Sequence, residues 1–490
     1  MPADSVLVVD AGTSAMRAAL VRADGDVALL GIEPYRTFVP DDAAPFGREF
    51  DPAGLARSLD RLLACAAPYR SRIAAVAFTG QREGIAFVDD RGAAIFASPN
   101  VDARASAEGI AIDAAHAGDV YAVTGHLPSL MQVPAKLAWL RAHRPAAAER
   151  IRRVLPLVDW LAMLLTGAPA TSRTLAAENG LLDVSSGAVP AALLDSLGLD
   201  AALVPPVVAD GTAAGSAAHG EMVGLPVILA GADTQCALLG MGAVRPRATA
   251  VPAGWSAPVQ MVTASPMFDR RRRTWTGVHV APGAWILESN AGETGRAWEW
   301  LRGLLGVTND EAEALASASS PGAGDTMWVA GARAMRAAEM NAGMGALTFP
   351  LPLVMSAPDR GDVLRSMLEA TAYTVRANLG QLEEVSGVPV DRLLLGGGMS
   401  RSAVFARIVA DVVDRPVMVA RSAETSALGA AALASVAAGL HGSLDDALVA
   451  MTAGGRTVEP VLATSAAYED CYARWCAMSD DVARLAAEVG

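Results

Sequence analysis

At 490 residues, 52% of them hydrophobic, the chain is longer than one core ordinarily organises, and two domains are expected. No apolar run reaches the roughly 18 uncharged residues of a membrane span, and no basic segment with an apolar stretch behind it opens the chain, so a cytoplasmic protein without a membrane partner is expected. A net charge of −13 argues against a nucleic-acid partner, since phosphate backbones call for clustered basic residues.

The chain opens on VLVVDAGTSAMRAALV, two apolar runs (Val6–Asp10 and Met16–Val21) bent about Gly12. Glycine there permits the positive backbone torsion of a tight hairpin, so that the amides of Gly12 and Thr13 face a cleft beside the hydroxyls of Thr13 and Ser14. Asp10, at the strand end, suits a hydrated Mg²⁺, and Arg17 suits phosphate or a brace on Asp10. An ordinary hairpin is the competing reading. IAAVAFTGQ (Ile73–Gln81) reads as a strand and GIAFVDDRGAAIF as a hairpin turning at Asp90-Arg91-Gly92. Between them Arg82 and Glu83 set a donor beside an acceptor, able to bracket neighbouring hydroxyls or to form a surface ion pair. Lys136, in QVPAKLAWL, is the single lysine among 39 basic residues, and it follows neither a P-loop nor a protein-kinase arrangement. Any nucleotide phosphate must therefore be met by backbone amides, hydroxyls, arginine and metal.

From Pro226, PVILAGADTQCALLGMGAV runs strand, loop, helix, with Asp233 where a helix N-cap would stand. RATAVPAGWSAPVQMV (Arg247–Val262) repeats the opening device about Gly254, so the chain begins twice. DRRRRT (Asp269–Thr274) reads as the cap of a solvated hairpin, and Gly295, in ETGRAWEWL, as a glycine permitting close helix packing. Asp362 to Gly387 carries a helical stripe at Leu364, Leu368, Thr371, Val375, Leu379 and Leu382, with Gly387 as its stop. RLLLGGGMSRSAVFARIVADVV and RPVMVARSAETSALGAAALASVAAG then give strand–helix–strand–helix. Gly396 to Gly398 let a ligand approach backbone amides at a helix N-terminus, although the glycine that a dinucleotide fingerprint needs near Arg401 is missing. Ser402 also reads as an N-cap, Glu424 as a stabiliser of its helix N-terminus, and the Ala/Gly faces after it as tightly packed. Cys65, Cys236, Cys471 and Cys476 are too scattered for a disulfide framework and read as buried small residues, and six histidines lack metal-binding spacing. Short strands alternating with amphipathic segments define an α/β protein.

Over about residues 6 to 440 these segments, in this order, resemble the FGGY carbohydrate kinases of the actin-like ATPase superfamily. DAGTSAMR is similar to the family's first phosphate motif and GQREGIAFVDDRGAAIFASPNVDARA to its sugar-contacting segment. ILAGADTQCALLGMGAV is similar to the stretch with the catalytic aspartate, and GGMSRSAVFARIVAD with ETSALGAAALA to the adenosine motif. The resemblance implies two actin-like (ribonuclease H-like) ATPase domains, 1–245 and 246–490, closing on an interdomain cleft that holds ATP, Mg²⁺ and a small sugar or polyol, with a homodimer allowed. It makes Asp233 the general base and, with Asp10, a metal ligand. Arg82, Glu83, Asp102 and Thr234 join Asp233 at the substrate; Asp102 reads equally as half of a bracing salt bridge. Gly12, Thr13, Ser14, Arg17, Gly254, Ser256, Gly295, Gly397, Gly398 and Ser402 fall to the nucleotide.

Within the family, the autoinducer-2 kinase branch is resembled in REG, NVDARA and VDWLAMLLTG, and glycerol kinases at the Arg-Glu pair. Xylulokinases, which carry Met-His-Gly there, are more distant. Two segments depart from the pattern: AGWSA sets Trp255 where the family has threonine, and GARAMRAAEM from Gly331 replaces the family's GER.P stretch. A catalytically weak sugar-binding or regulatory pseudokinase, or a xylulokinase-type pentulose kinase, therefore stays open. An actin-like chaperone is disfavoured, having no need of a hydroxyl-bracketing pair.

Overall fold

Apolar runs such as SVLVVDA and SAPVQMVT, buried along nearly their whole length, can be satisfied only inside sheets covered on both faces. In the computed structural model, which describes residues 3–339 and 343–489, they do so twice. Met1, Pro2 and Gly490, at the outer ends of the two expected domains, and Met340 of the GARAMRAAEM stretch lie outside the described residues.

The first sheet comprises β1 (Ser5–Ala11), β2 (Ala15–Arg22), β3 (Val27–Pro34), β4 (Ile73–Gly80), β5 (Thr212–Ser216) and β6 (Pro226–Ala232), in the order β5-β6-β4-β1-β2-β3. Here β1 pairs antiparallel with β2 and parallel with β4, and β4 pairs parallel with β6. The carboxyl ends of β1, β4 and β6 therefore lie side by side, where ligands of open α/β sheets bind. The second sheet comprises β7 (Thr249–Pro252), β8 (Ser256–Thr263), β9 (Trp275–Val278), β10 (Trp285–Glu293), β11 (Leu393–Gly396), β12 (Val417–Val419) and β13 (Arg456–Val458), in the order β9-β10-β8-β7-β11-β12-β13. It repeats the device: β7 is antiparallel to β8 and parallel to β11. A small third sheet joins Ala94–Ser98, Ile85–Val88 and Arg153–Pro156, with Gly92 in the left-handed turn of the expected hairpin.

Four helices matter for the site: α1 (Asp233–Gly240), α2 (Arg360–Ser386), α3 (Ala403–Val413) and α4 (Thr425–Ala437). The expected stripe on α2 is wholly buried and Gly387 ends the helix in the left-handed conformation. Its start lies two residues before the expected one, because Asp359 and Asp362 form a reciprocal capping box. The basic run lies in the connection between β8 and β9, its backbone folded around the Asp269 carboxylate, which accepts from the amides of Arg271 and Arg273.

Two expectations are corrected. Neither Gly12 nor Gly254 is among the positive-φ glycines. Each bend is spread over three residues, Gly12–Ser14 and Ala253–Trp255, so none is forced into the left-handed region. Cys65 is exposed rather than buried, and only Cys236 is fully enclosed; all four thiols are free.

Although α4 follows strands of the second sheet, it packs on the first, its Ala427, Leu428, Ala430 and Ala431 against Val6 and Val8 of β1 and Ala75 and Ala77 of β4. It also lies backbone to backbone on α1. A Cβ on Gly429 would fall 1.9 Å from the Cys236 carbonyl oxygen, and one on Gly240 2.0 Å from that of Thr425. The glycine and alanines of ETSALGAAALA thus let two helices touch and set the middle and end of α1 against the second half of the chain. Gly429→Ala is expected to cost about 2 kcal/mol through overpacking, read as a lower denaturation midpoint with unchanged slope; stability equal to wild type would show that the contact relaxes freely.

Candidate active site

At the first hairpin, Asp10 and Arg17 are direct cross-strand partners, near enough for the arginine charge to act on the carboxyl. The Gly12 carbonyl accepts from Gln81 Nε2 at 3.0 Å, Thr13 Oγ1 accepts from Asn100 Nδ2 at 3.1 Å, and Gln81 Oε1 accepts from the Asn100 amide at 2.8 Å. Gln81 and Asn100 brace the bend, whereas the Ser14 side chain stays exposed. Asp10 Oδ1 is buried without a hydrogen-bond partner. Burial, reinforced by the negative charge of Asp233 and opposed by Arg17, pushes the Asp10 pKa up to about 7.

Asp233 follows β6 directly as the first residue of α1, half-buried. Its Oδ1 accepts from the adjacent Thr234 amide at 2.7 Å. The cap position itself falls on Ala232, without a side-chain bond, so Asp233 does not serve as the cap. Burial raises its pKa against the pull of Arg82 and the Thr234 amide. Thr234 Oγ1 is turned to Gln235 Oε1 at 2.5 Å. Two mutually repelling carboxylates, one with an orphaned oxygen, suit a divalent cation whose other ligands are water and phosphate oxygens. Among the described residues no cluster of three acidic, histidine or cysteine side chains is built for a metal, so a cation here would rest on these two.

Arg82 is no surface ion pair. The residue is 7% exposed, and its guanidinium meets Glu288 on β10 through two parallel bonds, Nη1–Oε2 at 2.7 Å and Nη2–Oε1 at 3.1 Å, with Glu178 Oε2 3.3 Å from Nη1. Trp275 lies 5.3 Å beneath it. Glu178 also receives Gln235 Nε2 and lies 3.3 Å from His126 Nε2. Burial would raise the Glu178 pKa, yet Arg82 and His126 pull it down to about 2. His126 Nδ1 faces the Thr124 carbonyl at 2.8 Å, so both ring nitrogens meet acceptors and the imidazolium is favoured; its pKa is raised even though burial opposes this.

Glu83 adopts φ 51°, unusual for a residue with a side chain. Its carbonyl is held by Lys136 Nζ at 3.3 Å, and its pKa rises to about 7, chiefly by burial. Lys136 itself is buried, and desolvation lowers its pKa against the attraction of Asp102 and Glu83. Asp102 is fully enclosed. It accepts from Arg104 Nε at 2.9 Å and the Arg48 amide at 2.8 Å, beside an Arg104–Glu49 pair at 2.6 Å. Those contacts make it a brace.

The second hairpin gathers the glycines expected at the nucleotide. A Cβ on Gly295 would lie 2.2 Å from the Gly254 carbonyl oxygen, and one on Gly397, at φ 79°, 2.6 Å from that of Ala253. The Ala253 carbonyl accepts from the Met399 amide at 3.0 Å, and the Ala253 amide donates to the Gly396 carbonyl at 2.9 Å. Gly254 and Gly398 face open space: a methyl group added to either would meet nothing within 4 Å beyond its chain neighbours. Such bare backbone is what a phosphate tail or a ribose needs to come close. Ser256 is half-buried, its carbonyl accepting from the Gly254 amide at 2.9 Å, and Trp255 is 38% exposed. Ser402 caps α3 by accepting from the Phe405 amide at 2.9 Å. Glu424 stands at the start of α4 but turns its carboxylate to Arg401 at 2.7 Å instead of to the helix amides.

The structure thus gathers Asp10, Gly12, Thr13 and Arg17 at one bend, Asp233 with Arg82 and Glu83 beside it, and Gly254, Gly295, Gly397 and Gly398 at the other. Asp102, held by Arg104 and the Arg48 amide, shares the attraction of Lys136 with Glu83. Sequence reasoning missed His126, Glu178, Gln235, Gln260 and Glu288, which are dispersed along both halves of the chain without a local motif. The only hint was their charge or amide amid apolar segments.

The N-terminal domain of the FGGY family of carbohydrate kinases matches residues 5–240, and the C-terminal domain of that family matches residues 253–438. An autoinducer-2 kinase of Escherichia coli (strain K12) is 30% identical, the match spanning 97% of this chain and 94% of that protein. Among solved structures, the xylulose kinase from Rhodospirillum rubrum is 27% identical with a TM-score of 0.83, covering 98% of this chain and 99% of the other. Plasmodium falciparum glycerol kinase with ADP, 16% identical over 98% of this chain and 99% of its own, shares the fold with a TM-score of 0.83.

A carbon-detected NMR titration should find the Asp10 carboxyl titrating near 7, as its burial dictates, and Asp233→Asn should lower that midpoint by removing a neighbouring charge. A midpoint unmoved by the substitution would mean that the two groups do not share a field.

Proposed function

This chain belongs to the FGGY family of carbohydrate kinases, and from that premise we propose that it transfers the γ-phosphoryl group of ATP to a hydroxyl of a small sugar or polyol, with Asp233 as general base. The acceptor class is a ketopentose, a polyol or an autoinducer-2-like five-carbon compound, in keeping with the names of its relatives. The observation that carries the proposal is a raised-pKa carboxylate at the first turn of α1, within electrostatic reach of Arg82 and of Asp10.

An alcohol is a poor nucleophile until its proton has somewhere to go. Asp233 Oδ atoms accept that proton as the oxygen attacks in line, and the elevated pKa brings the base nearer to neutral pH, where proton transfer is efficient. Glu83, whose carboxyl takes no hydrogen bond from the described residues, accepts from acceptor hydroxyls while Arg82 donates. The open backbone at Gly12 and Gly254 would meet the polyphosphate and that at Gly398 the nucleoside, while Gly295 and Gly397 let the second hairpin pack against its neighbours. Asp10 and Asp233 would hold a hydrated Mg²⁺, which when bound neutralises phosphate charge. Enclosure of the site excludes water that would otherwise compete with the sugar for the phosphoryl group. The division of labour follows the chain: residues 1–245 supply the acceptor site, the first phosphate hairpin and the base, and 246–490 the second phosphate hairpin and the adenosine site.

The test is a coupled ADP-release screen over tetritols, pentuloses, hexuloses and dihydroxypentanedione. Acceptor-dependent release with at least one five-carbon compound is expected; a silent panel with retained sugar binding would favour a sensor without turnover. Because burial raises the Asp233 pKa, its proton-accepting form is lost as pH falls through a value above the ordinary carboxylate range. The acid limb of kcat/KM is accordingly expected above about 4, the usual aspartate value, and a limb at or below it would contradict the role of a desolvated base.

A further inference from the structure

Arg82 belongs to the first half of the chain, yet its strongest partner does not. Glu288 reaches over from β10 of the second sheet and takes both terminal nitrogens of the guanidinium, while Gln260 of β8 donates to Glu288 Oε2 at 2.7 Å and fixes that carboxylate. Glu178, from the first half, holds the other flank of Arg82 and is itself held by His126 and by Gln235, two residues beyond Asp233 on α1. All are buried, with Glu288 3% and Glu178 2% exposed. A guanidinium in so dry a place cannot choose its own direction, because every unmatched N–H would be left without water. Its orientation is set by the two carboxylates.

We propose that Glu288 is a positioning residue for the acceptor, which it serves by drawing Arg82 across the cleft, so that the acceptor pocket is complete only when the two halves are closed. Glu178 has the complementary duty of holding Arg82 at its own side of the cleft, next to the helix that carries Asp233. The pair Arg82–Glu288 is then both a wall of the pocket and a latch between the halves, alongside the bonds from Trp275 Nε1 to the Leu127 carbonyl and from Trp285 Nε1 to the Val184 carbonyl. Closure by this pair assembles the pocket before the acceptor arrives. The acceptor role of Arg82 rests on the kinase function proposed above; the latch does not.

Two variants separate these duties. Glu288→Gln keeps the shape but removes the charge that spans the cleft. Small-angle scattering of the ligand-free protein should show a larger radius of gyration, and the acceptor KM should rise roughly tenfold or more while the ATP KM stays within about twofold. Glu178→Gln should raise the acceptor KM without changing the radius of gyration. The proposal is overturned if Glu288→Gln leaves the scattering curve as in wild type, or if either variant raises the KM of ATP and acceptor in parallel, as a merely structural lesion would. Because scattering needs no turnover, it decides the latch even where no acceptor is phosphorylated, so a failed kinase assignment and a failed latch give different results.

Discussion

The constraint on which this molecule depends is the burial of more carboxylate than its fixed cations can neutralise. Around α1 and the strand ends before it, Arg82 and His126 are matched by Glu288 and Glu178, and Arg17 is the cross-strand partner of Asp10. Asp233 and Glu83 are left with burial outweighing any cation's help, and Asp10 is in the same position despite its arginine. A buried carboxylate without a full partner answers by raising its pKa, and that response is what a proton-accepting group near neutral pH requires. The well-packed apolar sheets on either side offset the cost of this tension.

Backbone proximity is the second theme. The two hairpins turn through loops of three residues, and the second is stitched to the turn after β11 by main-chain bonds that leave no room for side chains at Gly295 or Gly397. The helix contact at Gly240 and Gly429 works in the same way across the two halves. Small residues here serve less to permit unusual torsions than to let main chain meet main chain, or to leave it open to a ligand.

Much of this was legible in the sequence because it is local. The apolar runs about Gly12 and Gly254, the strand before Asp233, the stripe on α2 and its glycine stop each carry their signal within a few residues. The torsions at the two hairpins were misjudged, since a glycine between strands suggests a tight turn and nothing in the sequence says that three residues share the bend. Asp102 was ambiguous for a different reason: its partners Arg104 and Glu49 are a salt-bridge pattern only once Glu49 is brought alongside. The Arg82 network was invisible, because Glu178 and Glu288 lie in segments whose periodicity speaks only of helix and strand. Lys136 stood out by its solitude, but its hold on the Glu83 carbonyl depends on a tertiary contact 53 positions distant.

The same pattern explains why the chemistry concentrates where it does. Strand ends from one half and bare loops from the other converge at α1, and the residues that aim the reactive groups come from both. If the Asp233 carboxylate takes the acceptor's proton, rapid-quench single turnover on ATP-loaded wild type and Asp233→Asn will register it without interference from product release. A phosphoester burst is predicted from wild type, with a rate on the order of 10²–10⁴-fold lower in the variant and acceptor binding retained; equal single-turnover rates would contradict a proton-accepting role for this residue.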